Sequence, residues 1–401
     1  MTSTTEIFQL GYLVPEFPTQ THNFFWKEIA ALRAQGVAVH LLSTQAPDAA
    51  ASSHPFCEQA IQETSYLFPP CAGRTLSFAL FHPVQIARAA NYVLSLPEAT
   101  TGEKIRLFAL IPSVIELLHW AKVNNFNHIH CHSCANAAHL VSIAHLIGGP
   151  TFSLTLHGDL PVYGRDHQRK MAKAKFVACV TRPLQHDVLS LTHKPPEEVP
   201  VIRMGVDTCL FTPSHEQKSP AGKLTLVTVA RLNRSKGIER AIRAVFEARK
   251  QGYDINYIVA GEGPDRERLE ALIVELHLTD SIQLLGTTGE NTLIGLLQRA
   301  DAFILTSVGL GEAAPVSVME AMSCGLPVIC SRIGGTPEMI TSGVDGFLTP
   351  QEDEAAILLA IVRLADDLEL RKRIGEAARV RAEAEFDHQS MAKLLLDHIT
   401  A

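Results

Sequence analysis

Two cations bracket a short turn in the run Arg231-Leu232-Asn233-Arg234-Ser235-Lys236-Gly237, which follows one apolar strand pattern and precedes a helical pattern over 238–249. A helix start adds its amides and dipole to the charges of Arg231 and Lys236, and phosphate oxygens suit such a place. The competing assignment is that loop cations are simply solvated. A second group is Glu312 and Glu320, separated by seven residues. Pro315 suits the first turn of a helix, and Gly325 and Pro327 suit its end, so Glu320 falls on a short helix and Glu312 on the loop before it. A carboxylate accepts hydrogen bonds without donating any, which fits the vicinal hydroxyls of a sugar or ribose. Glu320 can equally be a lone polar residue on an apolar helix.

Two further segments sit where strand patterns end. Thr155-Leu156-His157-Gly158-Asp159 presents a histidine, then a glycine that permits close backbone approach. His157 therefore faces a ligand or is a satisfied structural histidine. Gly261-Glu262-Gly263-Pro264 also follows a strand, but Arg266 stands where a dinucleotide fingerprint needs its third glycine. The segment His128-Ile129-His130-Cys131-His132-Ser133-Cys134 superficially suggests a metal cluster, with three histidines on one face of a strand. Its single CxxC has no second pair, and strand-to-helix context accounts for it without metal.

The elements that position these residues alternate. Apolar strands are expected over 6–14, 37–43, 127–131, 150–157, 175–181 and 199–203, and then over 224–230, 256–260, 282–285, 302–306, 327–330 and 346–349. Helical patterns cover 23–35, 76–96 and 104–124 and separate most of the rest. Short strands apolar on both faces, alternating with helices, imply α/β domains with parallel sheets covered on both sides. Ligands in such sheets bind beyond the carboxyl ends of the strands. The Pro- and Ser-containing stretch 209–222 reads as a linker. It divides a domain 1–208 from a domain 223–385, and a terminal helix over about 386–401 is expected to pack back on the first.

Composition limits the function classes. The chain has 401 residues, 46% of them hydrophobic, and a net charge of −7, which fits two packed domains and speaks against a nucleic-acid partner. The N-terminus lacks the basic and apolar blocks of a signal peptide, and no apolar stretch reaches the roughly 20 residues of a membrane span, so a cytoplasmic protein is expected. Eight scattered cysteines show no disulfide pattern and are expected as reduced core residues.

Taken in order, "VARLNRSKGIERAI", "AGEGPDRERLEALI", "ADAFILTS", "GEAAPVSVMEAMSCGLPVICSRIGGTPEMI" and "GVDGFLTP" resemble family 4 of the retaining glycosyltransferases. The opening "YLVPEFPTQTHNFFWKEIAAL" is similar to the subgroup that builds bacterial exopolysaccharides and colanic acid. It lacks the Gly-Gly loop common elsewhere in the family, which leaves the acceptor contacts near Thr19 to His22 open. The resemblance implies the GT-B fold, two facing Rossmann-like domains with parallel sheets and a cleft. It implies that a hexosyl group moves from a nucleoside-diphosphate sugar to a glycan or polyprenyl-linked saccharide, with retention. By the same resemblance Arg231 and Lys236 hold the donor diphosphate, Glu312 meets the transferred sugar, Glu320 meets the ribose, and His157 contacts the sugar from the first domain. Gly261, Gly263, Pro315, Val316 and Ser317 complete the expected donor site. No cofactor or metal is implied, because the two cations supply the charge. Apolar helical faces bordered by Arg88, Lys104, Arg106 and Lys122 suggest peripheral contact with the inner face of a membrane, or merely cover the sheet. A sugar-nucleotide epimerase or hydrolase, or a non-catalytic sugar-nucleotide sensor, would share the donor residues.

Overall fold

The computed structural model of the chain describes residues 7–19, 22–47, 56–214, 219–309 and 312–401. They form two compact units, one reaching to Arg203 and including Met391–Ala401, the other spanning Met204–Ser390.

The first unit holds β1 (Gln9–Leu13), β2 (Ala38–Ser43), β3 (Thr64–Tyr66), β4 (His128–Cys131), β5 (Thr151–Leu156) and β6 (Val177–Cys179), in the order β3-β2-β1-β4-β5-β6. Every pairing is parallel. Side chains alternate across this sheet, and each face has its own core. Leu13, Ile129, Cys131, Phe152, Leu154 and Leu156 share one core. Leu10, Tyr12, Leu41, Phe176 and Ala178 face the other way and meet Ala392, Leu395 and Ile399 of the helix His388–Thr400.

The second unit repeats the plan with β7 (Lys223–Val229), β8 (Asp254–Ala260), β9 (Ile282–Gly286), β10 (Ala302–Leu305), β11 (Val328–Ser331) and β12 (Phe347–Thr349), in the order β12-β11-β10-β7-β8-β9, again parallel throughout. In both sheets the winding reverses beside the first strand, between β1 and β4 and between β7 and β10. At such a switch point the loops leaving neighbouring strands diverge to opposite faces and open a crevice for a ligand.

Several elements differ from expectation for local reasons. The helical pattern over 76–96 is two helices, Ala72–Phe81 and Pro83–Leu94, because Pro83 lacks an N–H and disfavours helical geometry at His82, whose φ and ψ are −130° and 53°. The pattern over 104–124 likewise divides into Thr101–Ala109 and Ile111–Val123 beside Pro112. Residues 199–203 make one isolated bridge, Cys179 to Val201, rather than a strand. β3 has three residues, too few for a periodic signal. All eight cysteines are free, and Cys71 and Cys209 are exposed rather than in the core. Glu6, at the start of the first expected strand, lies outside the described residues. No described helix is long and apolar enough to cross a membrane.

Candidate functional site

In the second unit the loops leaving β7, β8, β10 and β11 interlock through backbone contacts that only glycine allows. Gly237 sits at φ +61° between a 3₁₀ turn (Arg234–Lys236) and the helix Ile238–Lys250, and a Cβ there would overlap the carbonyl oxygen of Thr306 beyond β10. Thr306 Oγ1 donates to Gly237 O (2.8 Å) and Val308 N donates to Ser235 O (2.8 Å), so the β7 and β10 loops are fastened side by side. Gly261 and Gly263, at φ +147° and +158°, lie against the carbonyls of Ala230 and Leu232. Two reciprocal bonds, Leu232 N to Glu262 O (2.9 Å) and Asp265 N to Leu232 O (3.0 Å), close that contact. Gly334, at φ +53°, backs onto the carbonyl of Glu312, while Gly335 N donates to Ala313 O (2.6 Å).

Onto this scaffold the sequence places opposite charges at the switch point. Lys236, from the β7 loop, is ion-paired with Glu312, from the β10 loop, and Ser307 Oγ donates to the same Glu312 oxygen (2.8 Å). The pair is largely enclosed, with 20% and 12% of the two side chains exposed, so its Coulomb attraction is less screened than on an open surface. Arg231 is exposed and makes no ion pair among the described residues. Pro315 caps the helix Val316–Ser323. The amides of Val316 and Ser317, at its first turn, have no backbone acceptor among the described residues, which leaves them available to an anion. Glu320 lies half-buried on the same helix, one turn beyond Val316.

Of the residues singled out from sequence, Lys236 and Glu312 touch. Gly261 and Gly263 underlie the segment that carries Arg231, and Pro315, Val316, Ser317 and Glu320 share one helix. His157 belongs to the first unit, just past β5. Sequence reasoning did not single out Ser307, Thr306, Gly237 or Gly334. Their signal was available in part, because Gly334 falls in a Gly-Gly pair in the loop that leaves β11 and Ser307 is the second residue past β10.

The first unit has its own polar cluster, on the face of the sheet that holds Tyr12. The histidines of β4 and the hydroxyls of β5 form a row. Thr151 Oγ1 lies 2.8 Å from His128 Nδ1, Ser153 Oγ lies 2.7 Å from both His128 Nε2 and His130 Nδ1, and Thr155 Oγ1 lies 2.8 Å from His130 Nε2. The one-face placement of the three histidines is thus met by hydrogen-bond partners. Among the described residues no group of three His, Cys, Asp or Glu side chains is arranged to hold a metal. Beyond the strand ends His132 Nδ1 lies 3.1 Å from His157 Nε2, and His132 Nε2 lies 3.3 Å from Glu28 Oε1, which also accepts from Tyr12 OH (2.7 Å). Phe24 and Phe25 cover His157 from the helix Asn23–Ala34. Burial disfavours the cationic ring and lowers the pKa values of His128, His132, His139 and His157 to about 3. Gln20 and Thr21, in the segment expected near the acceptor, lie outside the described residues.

Comparison with known proteins agrees with this geometry. Residues 212–381 match the family described as glycosyl transferases group 1. The chain is similar to the putative colanic acid biosynthesis glycosyltransferase WcaL of Salmonella typhimurium, 34% identical over 206 residues that make up 50% of each protein. It is also similar to the amylovoran biosynthesis glycosyltransferase AmsK of Erwinia amylovora, 30% identical over 59% of this chain and 60% of the relative. The chain thus matches about half the length of these curated relatives. Anabaena Alr3699/HepE, crystallised in complex with UDP, superposes with a TM-score of 0.72 at 17% identity, covering 98% of this chain and 99% of that one. Sucrose-phosphate synthase from Thermosynechococcus elongatus gives 0.72 at 20% identity over 97% and 98%. These structures share the fold expected from the sequence, with two doubly wound parallel sheets.

Proposed function

We propose that the chain, whose residues 212–381 match the family described as glycosyl transferases group 1, is a retaining hexosyltransferase that uses a nucleoside-diphosphate sugar in building an exopolysaccharide or other envelope glycan. The observation that carries this is the Lys236–Glu312 pair at the switch point of the second sheet, backed by glycine-only loop contacts and beside a helix start with open amides. Arg231, Lys236 and the amides of Val316 and Ser317 hold the diphosphate, and Glu320 accepts from the ribose hydroxyls. Lys236 exchanges part of its contact with Glu312 for phosphate oxygen, which frees Glu312 to meet the transferred sugar. The anomeric carbon–oxygen bond breaks toward the diphosphate and the acceptor oxygen bonds to the same face. The acceptor proton passes to the departing diphosphate oxygen, whose charge the fixed cations and amides stabilise. The HepE complex with UDP and the polysaccharide roles in the names WcaL and AmsK support a nucleotide-sugar donor and a glycan acceptor, which we take to be free or polyprenyl-linked.

The test is thermal stabilisation by UDP-, GDP- and ADP-sugars, since a ligand present at 100 times its Kd stabilises the folded state by about 2.7 kcal/mol. One nucleotide class raising the midpoint, with the effect lost in Glu320→Ala, supports the reading. Absence of any shift in folded protein removes it. Sugar appearing free or isomerised, rather than on an acceptor, assigns the chain to the hydrolase or epimerase class instead.

A cytoplasmic location at the inner face of the membrane belongs to the same proposal. It is supported by the helix Ala72–Phe81, which buries none of its residues and exposes Leu76, Leu80 and Phe81 by 71–73%. The stretch from Ser65 to Pro97 contains no acidic residue. Flotation with anionic vesicles that is lost in Leu76→Glu/Leu80→Glu supports membrane contact, and equal recovery of both proteins refutes it.

A further inference from the structure

We infer that Ser307 is a positioning residue for the transfer reaction: its hydroxyl holds the Glu312 carboxylate in place when Lys236 turns from that carboxylate to the donor diphosphate. This rests on the transferase reading of the same site and adds the group that takes over from Lys236. All the residues concerned lie in the second unit.

Among the described residues Glu312 has two side-chain donors, and both meet one oxygen. Lys236 Nζ is ion-paired with Oε2, and Ser307 Oγ donates to Oε2 at 2.8 Å. Oε1 has no partner among the described residues. The two donors differ in reach. Lys236 ends a flexible four-carbon stem and is 20% exposed, so its ammonium can turn to another anion without moving the backbone. Ser307 is 1% exposed and its oxygen sits one bond from Cβ, so the hydroxyl stays where the backbone puts it.

The backbone on each side of the contact is fixed without help from the ammonium. Thr306 Oγ1 donates to Gly237 O and Val308 N to Ser235 O, both at 2.8 Å, which brackets Ser307 against the β7 loop. Gly309 N donates to Gln351 Oε1 (2.8 Å) and Gln351 Nε2 to Arg332 O (3.3 Å), which ties the same segment to the loop leaving β11. That loop also holds Glu312, through Gly334 behind its carbonyl and the bond from Gly335 N to Ala313 O. Hydroxyl and carboxylate therefore stay opposed whether or not Lys236 is with them.

A phosphate that draws Lys236 away would otherwise leave an enclosed carboxylate with no donor, and such a charge opposes binding. Ser307 lowers that penalty. It pins Oε2 and leaves Oε1 as the acceptor for a hydroxyl of the transferred sugar.

Nucleotide affinity separates this role from a merely structural one. Wild type, Ser307→Ala, Glu312→Gln and the double variant are titrated calorimetrically with UDP, GDP and ADP. Ser307→Ala should weaken the nucleotide that binds by at least about tenfold, the size of a hydrogen bond to a charged group. In Glu312→Gln, where no charge is left behind, the same substitution should change affinity by less than about twofold. Glu312→Gln alone should bind at least as tightly as wild type, because nothing holds Lys236 back. Ser307→Thr, which keeps the hydroxyl, should recover most of the loss. Equal losses in both backgrounds, no loss in either, or a Glu312→Gln protein that no longer binds would overturn the inference and leave the transferase reading standing. A folded wild type that binds none of the three nucleotides removes the transferase reading, and this role of Ser307 with it.

Discussion

Lowering the pH from 7.5 to 5.5 should destabilise the first unit through its buried histidines, and the size of the effect follows from the four that burial lowers to about 3. His128 and His139 are 1% and 5% exposed, and burial lowers each to about 3 from an ordinary value near 6.5. A group whose folded pKa is depressed contributes its full stabilisation above its unfolded pKa and loses it as pH falls toward the folded value, because only the unfolded chain binds the proton. At pH 5.5 each ring has forfeited about 1.4 kcal/mol, one pH unit's worth, and the two together with His132 and His157, also lowered to about 3, about 6 kcal/mol. His22, lowered to about 4, adds in the same direction. Glu28, raised by its burial, opposes them. Against a total stability on the order of 5–15 kcal/mol the loss is large. With a urea slope of about 2 kcal/mol/M, the midpoint of the first unit's transition should fall by roughly 3 M between the two pH values. His128→Gln, which can still bond Thr151 or Ser153, should lose about a quarter of that dependence while matching the wild type more closely at pH 5.5 than at 7.5. A wild-type midpoint flat to within about 0.3 M, or an undiminished pH dependence in His128→Gln, would show that these rings do not stay neutral in the folded state.

Other outcomes follow from the second unit. Replacing either Lys236 or Arg231 with alanine should lower kcat/KM by about 100- to 1,000-fold if both stabilise the leaving diphosphate, and turnover near the wild-type rate would remove that role. Gly261→Ala places a Cβ on the Ala230 carbonyl at a φ of +147°, and should cost at least 2 to 3 kcal/mol in chemical denaturation, with donor affinity lost alongside. Unchanged stability would mean that the β7 and β8 loops can part freely. Asp301 accepts from Ser219 N and Thr225 N and pairs with Arg371 at 3.2 Å, the two side chains being 1% and 4% exposed. Asp301→Ala should therefore destabilise the second unit by about 3–5 kcal/mol, readable as a lowered denaturation midpoint, whereas a loss under 1 kcal/mol would show that water replaces the carboxylate.

Eleven of the twelve strands could be found in the sequence within a few residues, because each is a short apolar run between turn signals, buried on both faces. What periodicity alone could not resolve was interruption. Pro83 and Pro112 sit inside continuous apolar patterns, and only their missing donors divide the helices. The loops carrying Lys236 and Glu312 were legible because both directly follow strands, but their contact was not, since 76 residues separate them and nothing local encodes the winding order that makes β7 and β10 neighbours. Glu28 was the least legible. It sits inside the helical pattern of residues 23–35 with no motif around it, and its meaning depends on which face of the helix Asn23–Ala34 settles over the ends of β1 and β4. Ser307 and Gly334 acquire their roles in the same way, from a partner element rather than from their neighbours in sequence.

The row of imidazoles and hydroxyls along β4 and β5 also constrains strand alignment. The observed pairing sets His128 beside Thr151 and His130 beside Ser153. A slip of β4 by one residue would turn His128, His130 and His132 into the core formed by Leu13, Phe152 and Leu154, with their ring nitrogens cut off from every hydroxyl. A slip of two would restore the correct face but leave one end of the row without its partner. Two purely apolar strands of this length have little to choose between neighbouring alignments, so a polar row inside the sheet penalises each wrong one and makes the native alignment unique.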